Sequence, residues 1–422
     1  MRGTEMKEYI IIGNGIAAAG CIEGIRSVTD DGRITVISHE EHPVYCRPLI
    51  SYYLEGKAKP ENLGYRDEGF YEKNGCTVIY EHDAVSIDSC AKTVALDDGT
   101  ALPYDSVCVA TGSSPFVPKF EGIEPVENKF SFMTLDDMYA LEKAVTEKSR
   151  VLIIGAGLIG LKCAEGLHGR AAEITVCDLS ERILSSIFDE EASEVMKGVL
   201  IENGIRLMLS DSAVKFDGNC AVMRSGKRVE FDVLVTAVGV RANTSLVSDA
   251  GGAVNRGIIV NEQLQTSLPD VYAAGDCTEG EDITAGTRRV LAILPNAYMQ
   301  GKCAGINMAG GTAKYDNAIP MNSIGFFGLH AMTAGSYYTE ENGGTVYTIR
   351  ESGNLRKFFC RGGFLSGFIL IGDEAICRAG IYTSLIRDKT PLDSVDFDML
   401  LKEPTFAAFS QNVRRKKFGG MV

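Results

Sequence analysis

The chain has 422 residues, 45% of them hydrophobic, and 42 Lys and Arg against 56 Asp and Glu give it a formal net charge of −14. That balance excludes non-specific nucleic-acid binding, which is driven by neutralising phosphates with Lys and Arg, and no apolar run reaches the roughly 18 residues that a membrane-spanning helix needs. The length suggests about three domains of roughly 150 residues each. The 12 cysteines are scattered with no C-x-x-C or C-x-x-x-x-C pair, so neither a disulfide framework nor a zinc or iron–sulfur site is expected, and most read as small buried apolar residues. The 5 histidines form no metal-ligand spacing. The apolar run Tyr9 to Ile12 is too short for a signal-peptide core, and a cytoplasmic protein is expected.

In chain order, Tyr9-Ile10-Ile11-Ile12 runs into Gly13-Asn14-Gly15-Ile16-Ala17-Ala18. This is the G-x-G-x-x-G/A pattern of a strand-to-helix turn that cradles a dinucleotide: Gly13 makes the turn, Gly15 admits the pyrophosphate, and Ala18, next to Ala17, keeps helix and strand close. A strand follows at Arg33 to Ile37, then a hairpin signal at Asp97-Asp98-Gly99 and an apolar strand closing on Ala110-Thr111-Gly112.

The pattern then starts again. Val151-Leu152-Ile153-Ile154 runs into Gly155-Ala156-Gly157-Leu158-Ile159-Gly160, and the strand from Glu173 ends on Asp178, 23 residues past Gly155. That is close to the roughly 20-residue spacing at which an acid accepts the ribose 2′-OH, and a carboxylate there repels a 2′-phosphate, so NADH is expected over NADPH, with Arg182 able to soften the preference. A second hairpin signal at Ser225-Gly226-Lys227 precedes a strand closing on Gly239. Two such halves read as an internal duplication. Leu268-Pro269-Asp270-Val271-Tyr272-Ala273-Ala274-Gly275-Asp276 is a further short strand ending in Gly-Asp, where a ligand would lie at the carboxyl end of a parallel sheet. Beyond residue 316 the chain is rich in Gly and aromatics, as in Gly325-Phe326-Phe327-Gly328, and the alternation over Thr345 to Arg350 predicts strands. The basic run Arg414-Arg415-Lys416-Lys417 reads either as a solvated tail or as a steering element for an acidic partner.

Taken together, the two fingerprints, Ala110-Thr111-Gly112, Gly239 with Arg241-Ala242-Asn243, Gly275-Asp276 and the run Tyr45-Cys46-Arg47-Pro48-Leu49 resemble the pyridine nucleotide disulfide oxidoreductase superfamily. Within it the chain is most similar to NADH:rubredoxin reductases and the flavin domain of NADH-dependent nitrite reductases, over nearly its whole length. The resemblance implies an α/β fold of two Rossmann-like dinucleotide-binding domains, one for FAD and one for NAD, plus a C-terminal α+β interface domain. The implied boundaries are 1–115 and 245–315 for a discontinuous FAD domain, 116–244 for the NAD domain and 316–422 for the interface domain.

The resemblance also implies site roles. Asp276 holds the ribityl chain, Ala110-Thr111-Gly112 lies near the flavin, and Arg47 contacts a phosphate. Ser38 stands where many relatives carry the acid that meets the FAD ribose, so Glu40 or Glu41 takes over that contact. Cys46 is either a redox thiol or a non-redox neighbour of the flavin, because an ungapped match puts Pro48 at the position of the redox cysteine. Lys162 replaces a common Glu, and Tyr52 stands where a Lys is often found. Lys162 is then either a positive charge near the flavin or nicotinamide, or a solvated helix residue. The implied activity is FAD-dependent electron exchange between NAD(H) and a one-electron redox protein, a rubredoxin or an iron–sulfur subunit. The alternatives are the flavin subunit of a larger NAD-linked complex, such as a tungsten aldehyde oxidoreductase, and a single-cysteine NADH oxidase or disulfide reductase.

Overall fold

The computed structural model describes residues 6–418. Its first sheet is parallel throughout, in the order Val271–Ala273, Ser106–Val109, Glu8–Ile12, Arg33–Ser38, Cys76–Tyr80. The strand residues from Tyr9 to Ile12 are all buried, as expected of a parallel strand covered on both faces. The second sheet repeats the plan: Arg206–Leu209, Glu173–Asp178, Arg150–Ile154, Val233–Thr236 and Lys129–Phe130, again all parallel. The duplication extends to a three-stranded antiparallel hairpin sheet in each half, Ala84–Asp88 with Thr93–Leu96 and Ala101–Pro103, and Ala213–Phe216 with Cys220–Met223 and Arg228–Glu230. The halves differ at the outer strand. The first sheet draws it from downstream of the second unit, and the second draws it from just upstream of its own glycine turn.

The chain passes between the two units through an antiparallel pair, Ser113–Pro115 against Val240–Ala242. Beyond residue 320 lies a five-stranded antiparallel sheet in the order Met321–Phe326, Leu329–Gly335, Phe364–Ile371, Asn354–Arg361, Thr345–Glu351. Tyr382 and Leu385 of the helix Gly380–Arg387 pack into the core on one of its faces, with Phe358 and Phe368. The opposite face merges with the second unit: Ile153, Leu161 and Leu167 share one apolar cluster with Phe326, Phe359 and Ile369. The C-terminal sheet is therefore part of the wall of the second nucleotide unit. Two Rossmann-like units and an α+β unit thus make up the fold.

Candidate functional site

At the carboxyl end of the first sheet, a cleft of about 670 Å³ is lined by the Gly13-Asn14-Gly15 turn, Ala17, Ser38, Glu40, Arg47, Pro48, Ala110 to Gly112, Gly275 and Asp276. Gly13 has φ +107°, and a Cβ on it would meet the Ala110 carbonyl oxygen at 2.3 Å. Only glycine fits that turn. Gly15 is different: a Cβ there would find no protein atom within 4 Å, so the space over the N-terminus of the helix Ile16–Arg26 is open to a ligand. A helix N-terminus facing open space is the place for a pyrophosphate. Ala18 does not line the cleft; it is buried in the core between helix and strand, which suits the close-packing position of the fingerprint.

Asp276 faces the same cleft. Burial pushes its carboxyl up, the Arg47 guanidinium draws it back down, and its oxygens accept no hydrogen bond from the described residues. A carboxylate left without protein donors beside an open cleft is suited to accept ligand hydroxyls. Glu40 is more occupied, accepting from the Tyr45 hydroxyl at 2.6 Å and from Arg47 at 3.0 Å, while Ser38 Oγ donates to its carbonyl. Arg47 is therefore held between Glu40 and Asp276, within the cleft.

Sequence reasoning missed the scaffolding of this wall. Asn14 donates to the His42 carbonyl at 3.2 Å and accepts from Tyr71 at 2.7 Å, tying the glycine turn to the segment that carries Arg47. The Tyr45 hydroxyl also accepts from the Leu135 amide at 3.0 Å. Leu135 opens a helix capped by Thr134, and Thr134 itself lines the cleft. Asn14 stood in view as a variable position of the fingerprint; Tyr71, 57 residues on, carried no signal.

The second glycine turn has the same form. Gly155 has φ +115° with the Ala237 carbonyl oxygen 2.2 Å from its would-be Cβ, Gly157 faces open space, and Gly160 would collide with the Gly155 carbonyl at 2.0 Å. Gly157 caps the helix that begins Leu158-Ile159-Gly160. Asp178 lies beside the turn, accepting the Ala156 amide at 2.7 Å and the Ser180 amide at 2.7 Å. Gly239, at φ +117°, lies on the crossing between the units, where its carbonyl accepts from Phe116. Thr111 and Asn243 hydrogen-bond across the same crossing, at 3.1 and 2.9 Å.

Two expected residues lie elsewhere. Cys46 does not line the cleft, although Tyr45, Arg47 and Pro48 around it do, and burial pushes its thiol up, away from the thiolate a redox cysteine needs. Pro48 occupies the cleft wall in that segment. Lys162 is neither solvated nor part of the cleft lining. Its side chain is 18% exposed, and its ammonium donates to Glu165 at 2.5 Å and to the Gly325 carbonyl of the C-terminal sheet at 2.6 Å. A metal site was not expected. His82, Asp97 and Asp98 converge at the surface, where such groups are common without an ion.

Known proteins match this architecture. A family model described as pyridine nucleotide-disulphide oxidoreductase covers residues 7–301. The NADH-dependent phenylglyoxylate dehydrogenase subunit epsilon of Aromatoleum evansii is 32% identical over 93% of this chain and 95% of its own length. The rubredoxin-NAD(+) reductase of Pseudomonas putida is 26% identical over 71% of this chain and 80% of its own. Among solved structures, the covalent putidaredoxin reductase–putidaredoxin complex superposes with a TM-score of 0.86 over 95% of this chain and 99% of that one at 23% identity, a likeness of fold. With the two glycine turns, the open space over Gly15 and Gly157, and the half-buried acceptor Asp276, these matches establish that the chain belongs to the pyridine nucleotide-disulphide oxidoreductase family and is an FAD-dependent oxidoreductase of NAD(H).

Proposed function

We propose that this enzyme passes electrons from NADH to a one-electron redox protein, a rubredoxin-like or other small iron–sulfur protein. FAD supplies the two-electron to one-electron conversion, taking a hydride and releasing electrons singly. The observation that carries the reading is the cleft lining, which contains no cysteine among the described residues. With no thiol lining the cleft and burial pushing the Cys46 thiol up, a bound flavin would pass its electrons on without a thiol relay. That favours direct transfer over the disulfide-reducing and single-cysteine alternatives, and the count of free thiols decides between them.

On this reading, residues 1–115 and 245–315 form the FAD domain, 116–244 the NAD domain, and 316–422 the interface domain. Gly13, Gly15, Ala17 and Arg47 hold the pyrophosphate, with Ala18 behind them. Ser38 and Glu40 face the adenosine ribose, Asp276 takes the ribityl hydroxyls, and Pro48, Ala110, Thr111, Gly112 and Gly275 wall the flavin. Gly155, Gly157, Leu158, Ile159 and Gly160 receive the NADH pyrophosphate, Asp178 its ribose, and Gly239 lies at the junction. No helix among the described residues is long and apolar enough to cross a membrane, which is compatible with work in the cytoplasm.

The test is anaerobic: NADH is mixed with the enzyme, and oxidised rubredoxin is then added. Flavin bleaching followed by rubredoxin reduction at a catalytic rate, with an unchanged count of free thiols, supports the proposal. Flavin reduction that reaches dyes but neither rubredoxin nor a ferredoxin sinks it. A second reading, the flavin subunit of a larger NAD-linked complex, is favoured by the end-to-end match to a protein named as a subunit. Co-purification of large iron–sulfur subunits from the native host distinguishes the two.

A further inference from the structure

We propose that Lys162 is a positioning residue, fixing the nicotinamide-nucleotide helix against the tip of a C-terminal hairpin, rather than a charge that acts on the flavin. The proposal rests on the reading that the second unit holds NAD(H).

The hairpin joins the strands Met321–Phe326 and Leu329–Gly335, and its two turn residues, Phe327 and Gly328, have φ of 49° and 87°. Positive φ is ordinary for Gly328 and strained for an aromatic residue, which holds such a conformation only where its surroundings impose it. The surroundings here belong to the second unit. The Phe327 amide donates to Glu165 Oε1 at 2.6 Å, the Phe327 ring meets the edge of His168 at 5.0 Å, and the preceding Phe326 is fully buried in the shared core. Lys162 closes the arrangement, bonding the Gly325 carbonyl on one side of the tip and Glu165 on the other. Its ammonium also lies 4.9 Å from the ring centres of both Phe326 and Tyr52, a favourable position for a cation.

The same face of that helix, one turn after Lys162, is also fixed by packing. A Cβ on Gly166 would lie 3.0 Å from Leu54 Cβ and 3.1 Å from the Ser51 carbonyl oxygen, so the helix Leu49–Leu54, whose N-cap is Pro48 of the cleft wall, leaves it no room to shift. One face of the nucleotide helix Leu158–Leu167 is thus held against both the segment that lines the flavin cleft and the C-terminal tip. Since Gly157 caps this helix, that shared contact sets where the pyrophosphate site stands relative to the cleft. A Glu at position 162 would face both Glu165 and a carbonyl oxygen, which explains a Lys here. Glu165 is 5% exposed, and without Lys162 it would be a buried charge with one backbone donor.

The test uses the FAD-loaded enzyme with Lys162→Met and Lys162→Arg, reading the NAD⁺ dissociation constant by calorimetry and the flavin midpoint potential by redox titration. Lys162→Met is expected to weaken NAD⁺ binding about tenfold with the potential unmoved, and Lys162→Arg to restore most of the affinity. An unchanged dissociation constant, or a shifted potential, overturns the proposal. If Lys162→Met does not fold, Lys162→Met/Glu165→Gln removes the buried charge imbalance and carries the same two readouts. Wild-type enzyme that binds no NAD⁺ at all would count against the functional reading itself.

Discussion

Asp276 and Asp178 are two carboxylates whose environments assign them different work. Asp276 is half-buried, without a protein donor; burial pushes its carboxyl up and the Arg47 guanidinium draws it back down. Its replacement, Asp276→Ala, removes the charged acceptor for ribityl hydroxyls and is expected to weaken FAD retention by roughly 1.5–3 kcal/mol. The flavin-to-protein absorbance ratio after dialysis measures it; full retention would remove Asp276 from the site. Asp178 already serves two backbone amides, at 2.7 Å each. Asp178→Ala should therefore narrow the preference for NADH over NADPH through KM and also soften the Gly155 turn itself. Comparing kcat/KM for both coenzymes in both proteins decides this, and equal wild-type values would overturn the assignment. Cys46→Ser should leave NADH-to-dye turnover largely intact, because the thiol is outside the cleft lining and burial keeps it protonated. Loss of turnover with FAD retained would return the single-cysteine reading to contention.

At the scale of elements, the helix Ile16–Arg26 makes backbone contact with the distant helix Leu294–Met308. Gly20 and Gly24 face the Tyr298 and Lys302 carbonyls, and Gly301 and Gly305 face those of Ala17 and Cys21, each with a would-be Cβ 1.9–2.3 Å from the oxygen. Four glycines on two helices let the segment after Gly275-Asp276 press against the helix that begins at Gly15. Gly301→Ala should force these helices apart and cost on the order of 1–3 kcal/mol by overpacking, with lower thermal stability and weaker FAD retention. Gly198→Ala is the control. Gly198 lies inside the helix Glu190–Glu202 with nothing within 4 Å of its would-be Cβ, so alanine there should be neutral or stabilising by about 0.5–1 kcal/mol. Equal losses in both variants would refute the packing account. Elements of this kind also mark what could be read from the sequence. The two fingerprints were legible because their pattern is local. The positive φ of Gly13 and Gly155 and the open helix ends at Gly15 and Gly157 fall within a few residues of one another, although the carbonyls that force glycine at the turns, Ala110 and Ala237, come from distant strands. The four packing glycines were visible only as glycines, since which carbonyl each would strike depends on a pairing some 280 residues apart. The partners of Lys162 were hidden for the same reason, Gly325 being 163 residues away, so a solvated helix face stood as one of its two readings.

Over the whole molecule, a net charge of −14 repels an acidic redox protein, so any docking of one requires a local exception. From Ser410 to Val422 the chain has four cations and no Asp or Glu. The structure makes Gln411–Phe418 a helix rather than a loose tail, packed through Val413 against the core beside the C-terminal sheet. Arg414 and Arg415 are exposed on it, with no ion pair among the described residues, while the side chains of Lys416 and Lys417 and the residues after Phe418 lie outside those described. A fixed basic helix on an acidic surface presents a short-range attraction, screened over about 8 Å at physiological ionic strength, and such fields act on encounter rate more than on the bound complex. Replacing both exposed arginines, Arg414→Glu with Arg415→Glu, should slow rubredoxin reduction about tenfold at low salt. The difference should fade as salt is added, and NADH-to-ferricyanide turnover should stay at the wild-type rate, because neither residue lines the cleft. Stopped-flow traces across an ionic-strength series test this. If the variant reduces rubredoxin as fast as the parent at low salt, the acceptor docks on another face of the molecule and the helix serves only to close the C-terminal core.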